Sequence, residues 1–384
     1  MAPMPELVPY HLTFRSGLHL GAHGENPHKV SVSLPSDSLF AALLDVFGRA
    51  GGDPQSFAAP FDAESPDPPL LLSSAFPFAG GVRFYPLPVD RRRLFSPEAA
   101  QKAGKLLKRI QFLSEGLFRL ALQGQRLDDW LFPPDEAGEP RAGLALQDGA
   151  LWMARDEVQR LPEGFRKAVK LHALRHHPVF SLAQTPRVTI DRITSASNIF
   201  QAGRVTFAQG CGLWFGVAWR QPDRPVAGQE GPTYRQAFSR ALDLLQHDGL
   251  GGERSAGYGA FGFTEGQAIS LPEPLPGAAA FLLSRYHPRP AELPAALSVP
   301  GAAYQLVFVG GWLRTPSGPA QRRKRLALLA EGSLAAPPAY PAGDLVDVRP
   351  EYGGAPSVPH PVYRSGLALA VGWPAEFSQE AKHA

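Results

Sequence analysis

The sequence predicts an α+β protein made of two domains, each a β-sheet covered by one or two helices. The chain has 384 residues, more than one ordinary domain needs. Alternation of apolar and polar residues recurs in both halves and is typical of strands with one buried face, whereas helical periodicity is confined to a few stretches. This mixture of strand runs and isolated helices favours the α+β class.

Amino-acid composition indicates the cellular compartment of such a protein. The single cysteine, Cys211, excludes a disulfide framework and a cysteine-based zinc knuckle, and it fits a reducing compartment. The first residues show no charged segment followed by an apolar one, and the sequence contains no run of about 18 apolar residues. We therefore expect a cytoplasmic protein without a membrane partner.

The first predicted elements are a strand, a helix and a second strand. Residues 10–21 alternate apolar and polar side chains and predict a strand that runs into a turn. Residues 36–47 carry apolar side chains on one helical face, and Ser36 or Asp37 is expected to cap this helix. Residues 70–78 predict a buried strand.

The middle of the chain predicts an insertion, a hairpin and a loop. Residues 87–185 are interpreted as an insertion that is partly helical, because helical periodicity runs through 96–131. Residues 187–219 predict strands and a polar hairpin that protrudes as a thumb. Its tip is expected to carry Ser195, Ser197, Asn198 and Gln201. A helix over 233–247 leads into a glycine-rich loop, 249–259, which a strand follows directly.

The second domain is expected to begin at residue 270. The proline-rich stretch 270–277 predicts a linker, which divides the chain into domains over 1–269 and 270–384. Few long helical patterns occur beyond it. The stretches with strand character there are 279–286, 304–313, 324–334, 345–351 and 363–371.

The positive charge is modest but unevenly distributed. The net charge is +3, and basic residues concentrate in 90–126, in 155–192 and in the run 322–325. Basic blocks separated by neutral stretches suit a polyanionic partner such as a nucleic acid. Solvated helix faces would produce the same clusters, so both interpretations stay open.

The glycine-rich loop raises the question of phosphate chemistry. A dinucleotide-binding motif follows a strand and opens a helix, whereas this loop follows a helix and opens a strand. A P-loop needs Gly-Lys-Ser/Thr, and this chain has Gly-Glu-Arg-Ser at 252–255. What remains is a loop whose backbone amides can approach phosphates, with Arg254 and Ser255 to bond them. A plain structural turn is the alternative.

Other motifs do not make a convincing active site. His247-Asp248 lacks the further ligands of an HD phosphohydrolase, and in the stretch 51–54 a proline replaces the second carboxylate that two-metal catalysis needs. His172, His176 and His177 are candidate metal ligands or acid–base groups, although a helix end that faces a basic groove explains them as well. We expect no catalytic residues, no metal and no cofactor.

Several stretches taken together resemble one known family, the RAMP superfamily of CRISPR systems. Within it, the resemblance is to subunit four of type III-A Csm effector complexes, the subunit that holds the 5′ end of the guide RNA. The order and spacing of the stretches are more specific than any single one. They are 17–21, 35–43, 72–78, 85–88, 191–194, 249–261, 331–333, 343–350 and 360–366.

The resemblance implies two ferredoxin-like (RRM-like) domains, with a partly helical insertion in the first and a protruding β-hairpin thumb. It implies a subunit that is not an enzyme and that caps the 5′ handle of the crRNA in antiviral defence. The protein partners would be the large polymerase/HD-domain subunit and the backbone RAMP subunit of the Csm complex. The expected RNA-binding residues are His19, Ser36, Asp191, Arg192, Thr194, Gly249, Gly251, Gly252, Arg254, Ser255, Gly257 and Tyr258.

Two other functions stay open on the sequence. The chain could be a RAMP endoribonuclease that processes guide precursor RNA with a histidine of the first domain, such as His19 or His23. It could also be an assembly scaffold whose basic patches serve only for solvation.

Overall fold

The computed structural model describes residues 6–21, 31–62, 64–131, 142–167, 170–190, 197–227, 231–313, 320–337, 340–352, 355–356 and 358–378. No helix within these ranges combines the length and the apolar character that crossing a membrane would need. The helices are α1 (Ser36–Arg49), α2 (Pro54–Ala58), α3 (Pro97–Lys102), α4 (Gly104–Leu107), α5 (Glu115–Leu122), α6 (Glu163–Arg166) and α7 (Tyr234–Asp248).

The first two thirds of the chain build one large sheet and a separate ribbon. The strands are β1 (Leu7–Phe14), β2 (Leu70–Leu72), β3 (Phe76–Ala79), β4 (Val82–Pro86), β5 (Phe112–Ser114), β6 (Gly143–Leu146), β7 (Leu151–Ala154), β8 (Phe180–Ile190), β9 (Ser197–Phe207), β10 (Cys211–Trp219) and β11 (Phe261–Glu265). Nine of them form the sheet, in the order β11-β1-β10-β3-β4-β5-β7-β6 with β2 also beside β10. Its described pairs are antiparallel except β5 with β7.

The helix α7 packs on the part of this sheet that β1 and β10 form. Thr233 accepts a hydrogen bond from the N–H of Gln236, whose side chain accepts one from the N–H of Thr233, so the helix starts with a capping box. The ring of Phe238 packs against those of Tyr10 and Trp219, with centroids 5.3 Å apart in each case. β10 is buried along its whole length, which explains why it is an almost continuous apolar run.

The segment 87–185 differs from the predicted insertion. It supplies β5, β7 and β6, which extend the main sheet beyond β4, and its helices are short. The helical periodicity over 96–131 is divided among α3, α4 and α5, with β5 between α4 and α5. Hydrogen bonding across the edge of the sheet therefore overrides local helical preference in this stretch.

The strands β8 and β9 form a two-stranded antiparallel ribbon. Their register runs from Phe180 opposite Phe207 to Ile190 opposite Ser197. Ser197, Asn198 and Gln201 were expected at the hairpin tip, but they lie within β9 because the strand pairing continues to Ser197. The expected RNA contacts Asp191, Arg192 and Thr194 lie outside the described residues.

The C-terminal half contains small sheets. Its strands are β12 (Ala280–Leu282), β13 (Leu306–Val309), β14 (Trp312–Leu313), β15 (Gln321–Arg322), β16 (Leu326–Leu329), β17 (Leu334–Ala335), β18 (Leu345–Asp347), β19 (Glu351–Tyr352), β20 (Ala355–Pro356), β21 (Tyr363–Ser365) and β22 (Ala370–Gly372). β17-β12-β22 form a three-stranded sheet, and β13–β16, β14–β15, β18–β21 and β19–β20 are pairs. The described residues after 270 include no α-helix, so a ferredoxin-like arrangement is not seen there.

The two halves share one hydrophobic core. The ring of Phe281 on β12 lies 5.1 Å from that of Phe118 on α5 and stacks on Trp373 at 5.2 Å. The backbone N–H of Ser74 donates to the carbonyl of Leu283 at 2.8 Å. Apolar burial and backbone hydrogen bonds therefore both cross the junction between the halves.

A buried ionic cluster strengthens this junction. α1 starts after Pro35, and neither Ser36 nor Asp37 caps it through its side chain, contrary to prediction. The Ser36 hydroxyl instead accepts a hydrogen bond from the backbone N–H of Arg285 at 3.0 Å. The carboxylate of Asp37 pairs with Arg285 at 3.1 Å and with Arg364 at 2.8 Å. Ser36 and Asp37, which were predicted to cap α1, therefore bind residues of the C-terminal half instead.

Replacing Asp37 with alanine should destabilise the protein strongly. Arg285 and Arg364 would remain largely buried without their shared carboxylate, and breaking a buried pair in this way costs about 3–5 kcal/mol. Urea unfolding of the full chain measures this loss. Asp45→Ala is the matched control, because Asp45 lies on the same helix and pairs with Arg49 in solvent; we expect it to cost less than about 1 kcal/mol. Equal losses in the two variants would contradict this role of Asp37.

Candidate nucleic-acid interface

Three backbone segments meet beside the N-terminal strand β1: residues 17–20, residues 202–205 of β9, and the glycine-rich loop 249–259. Leu18 and Val205 exchange two backbone hydrogen bonds of 2.8 Å. On the other side, the N–H of Gly252 donates to the carbonyl of His19 at 2.8 Å, and the N–H of Gly259 donates to the carbonyl of Gly17 at 2.8 Å. Residues 17–20 are therefore held between the ribbon and the loop.

The loop joins α7 to β11, and a backbone hydrogen bond between its two ends closes it. Gly249 ends α7 with a φ of +84°, and the N–H of Leu250 donates to the carbonyl of Gly259 at 3.0 Å. Between these points Glu253 is left-handed, and residues 254–256 form a single 3₁₀ turn. Gly251 and residues 254–257 are exposed, so the outer part of the loop faces solvent.

Close packing against His19 leaves little room for a side chain at two loop positions. A Cβ on Gly251 would lie 2.3 Å from the carbonyl oxygen of His19, and its φ is +83°. A Cβ on Gly252 would lie 2.8 Å from Cδ2 of the His19 ring. Gly257 also has a positive φ, +82°, but open space surrounds it. Glycine at this position allows the left-handed backbone conformation and places no side chain on the loop surface.

The exposed part of the loop offers donors for an anion. Within the described part of the chain, no hydrogen bond engages the backbone N–H groups of residues 253–255. Arg254 is exposed there and forms no ion pair with a described residue. Successive free N–H groups next to a guanidinium are the arrangement that binds phosphate oxygens.

Two more arginines border the loop. Arg15 is exposed, and its backbone N–H donates to the carbonyl of Ala260 at 2.9 Å. The side chain of Arg204 of β9 lies directly over Gly17. A Cβ on Gly17 would lie 2.3 Å from the Cδ of Arg204. With Arg254, these side chains give the interface a positive surface, which we call the glycine-loop interface.

His19 is oriented by the backbone rather than by an acid. Its Nδ1 lies 2.6 Å from the carbonyl oxygen of Gly203 and therefore donates a hydrogen to it. No described carboxylate pairs with this imidazole. The described residues also contain no group of three or more His, Cys, Asp or Glu side chains that could hold a metal ion. The described residues of the site therefore offer donors for a polyanion, and His19 has no carboxylate partner among them.

Comparison with known proteins identifies the relatives of this chain. Residues 276–373 match the family model described as the CRISPR Csm4 C-terminal domain. The "CRISPR system Cms protein Csm4" of Mycobacterium tuberculosis (strain CDC 1551 / Oshkosh) is 25% identical over 359 residues, which cover 93% of this chain and 94% of that protein. The protein of strain ATCC 25618 / H37Rv matches to the same extent. This chain is similar to Csm4. The predicted resemblance to a type III-A CRISPR RAMP subunit is confirmed.

Solved structures show the same fold. A chain in the crystal structure of the Csm3–Csm4 subcomplex in the type III-A CRISPR-Cas interference complex superposes with a TM-score of 0.58 at 16% identity, over 95% of this chain and 98% of that one. A chain of the Csm1–Csm4 cassette in complex with cA4 gives 0.51 at 18% identity, over 96% and 98%. The α+β class predicted from the sequence is therefore confirmed.

Most of the predicted RNA contacts lie in the glycine-loop interface. They are His19, Gly249, Gly251, Gly252, Arg254, Ser255, Gly257 and Tyr258. The side chain of Tyr258 is buried, and Phe261 after it is buried in the core, so these rings pack instead of standing free to stack on bases. Ser36 lies at the junction between the halves. Arg15 and Arg204 were missed, although Arg15 is a basic residue two positions before the quoted stretch 17–21.

The remaining motifs have structural roles. The side chain of Asp53 accepts hydrogen bonds from the first N–H groups of α2, and Asp248 pairs with Arg49 at 2.5 Å. The Nδ1 of His176 lies 2.8 Å from the exposed carboxylate of Asp148, which stands between β6 and β7 in the chain. His177 packs near the ring of Phe165, with centroids 5.5 Å apart. Asp53, Asp248, His176 and His177 therefore each have a partner within the protein.

The two exposed glycines should respond differently to substitution. Gly257→Ala should cost about 1–2 kcal/mol of unfolding free energy, because its only penalty is a left-handed residue with a side chain. Gly251→Ala carries the same penalty plus the overlap with the carbonyl of His19, which should add about 1–3 kcal/mol. Urea unfolding measures both variants. Similar losses would show that the loop moves away from His19 without cost.

Proposed function

We propose that this chain is a non-catalytic RNA-binding subunit of a type III-A CRISPR interference complex, in which it caps the 5′ handle of the crRNA. The observation that carries the proposal is the glycine-loop interface, where N–H groups without a hydrogen-bond partner among the described residues lie beside exposed Arg254, with Arg15 and Arg204 on the adjoining segments. The similarity to Csm4 supports it. Binding without chemistry is what this set of groups can do.

The interface suits the backbone of RNA rather than its bases. N–H groups and guanidinium groups recognise phosphate oxygens, and such contacts position a strand without reading its sequence. Gly257, which open space surrounds, presents no side chain that would keep a phosphate away from the loop. Ser255 adds a hydroxyl on the same exposed turn. The handle would be held by its phosphates, with His19 beside them.

The architecture supports two further parts of the proposal. β1, α1, β3, β10, α7 and β11 follow one another in a strand–helix–strand–strand–helix–strand order, with the sheet order β11-β1-β10-β3, as in a ferredoxin-like domain. The ribbon of β8 and β9 leaves this domain beside the glycine loop, where Val205 pairs with Leu18. We interpret this ribbon as the thumb.

The proposed protein partners follow from the similar structures. Those chains belong to a Csm3–Csm4 subcomplex and a Csm1–Csm4 cassette. By this similarity, the chain would join a large polymerase/HD-domain subunit to a backbone RAMP subunit. We place the complex in the cytoplasm, in keeping with the single free cysteine, Cys211.

Arg254→Ala should weaken the binding of RNA that carries the repeat-derived 5′ handle. Loss of one charged phosphate contact costs about 1.5–3 kcal/mol, which corresponds to roughly a tenfold to hundredfold loss of affinity. The slope of log affinity against log salt should fall by about 0.7, the value for one phosphate contact on a single strand. Fluorescence anisotropy at several salt concentrations measures both quantities, with spacer RNA that lacks the handle as the comparison.

Two variants serve as controls for Arg254. Arg240→Ala removes an exposed arginine from α7, outside the loop, and should leave the affinity for the handle unchanged. Glu253→Gln removes a negative charge next to Arg254 and should strengthen binding, because it ends repulsion of the phosphates. If Arg254→Ala lowered affinity equally and slightly for both RNAs with the same salt slope, the loop would be a turn and the handle would be held elsewhere.

The purified protein should not cleave RNA. His19 is the candidate base of a RAMP endoribonuclease, but within the described residues it has a carbonyl partner and no acid partner. Labelled repeat RNA incubated with the protein in EDTA should therefore remain intact, since metal-independent cleavage needs an acid–base pair. Cleavage at a fixed site that disappears in His19→Ala would establish the nuclease function instead.

A further inference from the structure

One surface of the C-terminal half is unusual in its exposed aromatic residues. Among the described residues, the large aromatic side chains that remain exposed are Tyr304, Phe308 and Trp312, and Leu306 between them is exposed as well. Phe308 and Trp312 are each 50% exposed. Isolated exposed apolar residues are ordinary, but a cluster of this kind marks a binding surface.

An arginine lies over each of the two central rings. Arg325 places its guanidinium carbon 4.6 Å from the centroid of the Phe308 ring. Arg322 lies opposite Trp312 in the β14–β15 register, with its guanidinium carbon 5.1 Å from the centroid of the indole. We call Phe308, Trp312, Arg322 and Arg325 the aromatic–arginine ribbon. Cation–π contacts hold the planar groups in place before any partner arrives.

The charge around the aromatic–arginine ribbon is strongly positive. Residues 322–325 are all basic, and Lys324 is paired with Glu351 at 2.5 Å. Together with Trp312, residues 322–324 line one groove, which Glu351 borders. The buried Nε of Arg323 has no described hydrogen-bond partner. Burial, together with the charge of Arg364, lowers the pKa of Arg323 to about 10, so this arginine stays charged at neutral pH.

We propose that the aromatic–arginine ribbon is a second RNA-binding surface, which holds single-stranded RNA by stacking bases on Phe308, Trp312 and their arginines and by contacting phosphates with residues 322–325. Single-stranded nucleic acids are bound by aromatic platforms within positive grooves, because every base offers a flat face and every nucleotide a phosphate. In a duplex the base faces are covered, so the rings could not reach them.

Charge favours RNA over a protein as the occupant. A protein that covered this surface would have to supply a carboxylate for each cation it desolvates, since unpaired buried charges are strongly unfavourable. A single strand of RNA supplies one negative charge with each nucleotide. The ribbon lies on other elements than the glycine loop, so its binding of RNA does not depend on capture of the handle.

The test uses the full chain and labelled single-stranded oligonucleotides of about twelve residues that lack the handle. Phe308→Ala combined with Trp312→Ala should lower affinity at least roughly tenfold, with an unchanged salt slope, because stacking partners are lost and charges are not. Arg322→Ala combined with Arg325→Ala should instead lower the salt slope by about 1.4, the value for two phosphates on a single strand. This difference in slope would not arise from a general loss of structure.

Matched controls separate stacking from other causes. Trp312→Phe keeps an aromatic ring and should stay within about threefold of the unmodified protein. Leu275→Ala removes an exposed apolar side chain elsewhere and should have no effect. An oligonucleotide with abasic positions should bind the unmodified protein more weakly, and the Phe308/Trp312 variant should no longer distinguish it from the normal strand.

Three outcomes would overturn the proposal. The first is equal affinity of the Phe308/Trp312 variant and the unmodified protein for the handle-free strand. The second is equal binding of duplex and single-stranded RNA. The third is loss of a copurifying large or backbone subunit in that variant with RNA binding intact, which would make the ribbon a protein interface. Arg254→Ala, measured in parallel, should leave handle-free binding unchanged, so failure here is distinguishable from failure of handle capping.

Discussion

The carboxylate of Asp37 is shut off from water and faces two guanidinium groups, those of Arg285 and Arg364. A buried carboxylate persists only when its charge and its hydrogen-bonding capacity are both met. Here the two arginines come from the C-terminal half, while the acid lies in the first turn of α1. Ser36 and Ser38 complete the contacts by bonding the same arginines. The start of α1 therefore depends on the second half of the chain for its partners.

This dependence makes the two halves of the chain one structural unit. The aromatic contacts of Phe281 with Phe118 and Trp373 place apolar burial next to the ionic cluster, so both forces act at the same junction. A subunit built in this way keeps the glycine-loop interface and the aromatic–arginine ribbon in one body. Under the two proposals, RNA held at one surface restricts where RNA can reach the other.

The two proposed RNA surfaces would bind different parts of a nucleotide, the phosphate at one and the base at the other. At the proposed glycine-loop interface, the missing side chain at Gly257 leaves the outer turn open to phosphates, with Arg254 as the charged partner. At the aromatic–arginine ribbon, the large planar groups of Trp312 and Arg322 offer stacking faces. The first suits a strand held by its backbone, and the second a strand whose bases are free.

The sequence by itself determined the α+β class, the helix that became α7, the glycine-rich loop after it, and the resemblance to Csm4, because periodicity, glycine placement and motif order are properties of neighbouring residues. Only the tertiary structure decided the contacts between residues that are distant in the sequence. Only the fold buries the ring of Tyr258, brings Arg15 and Arg204 to the loop, and adds strands from 87–185 to the main sheet. It also directs Ser36 away from its expected cap, because a partner remote in sequence satisfies its hydroxyl better than its own helix does.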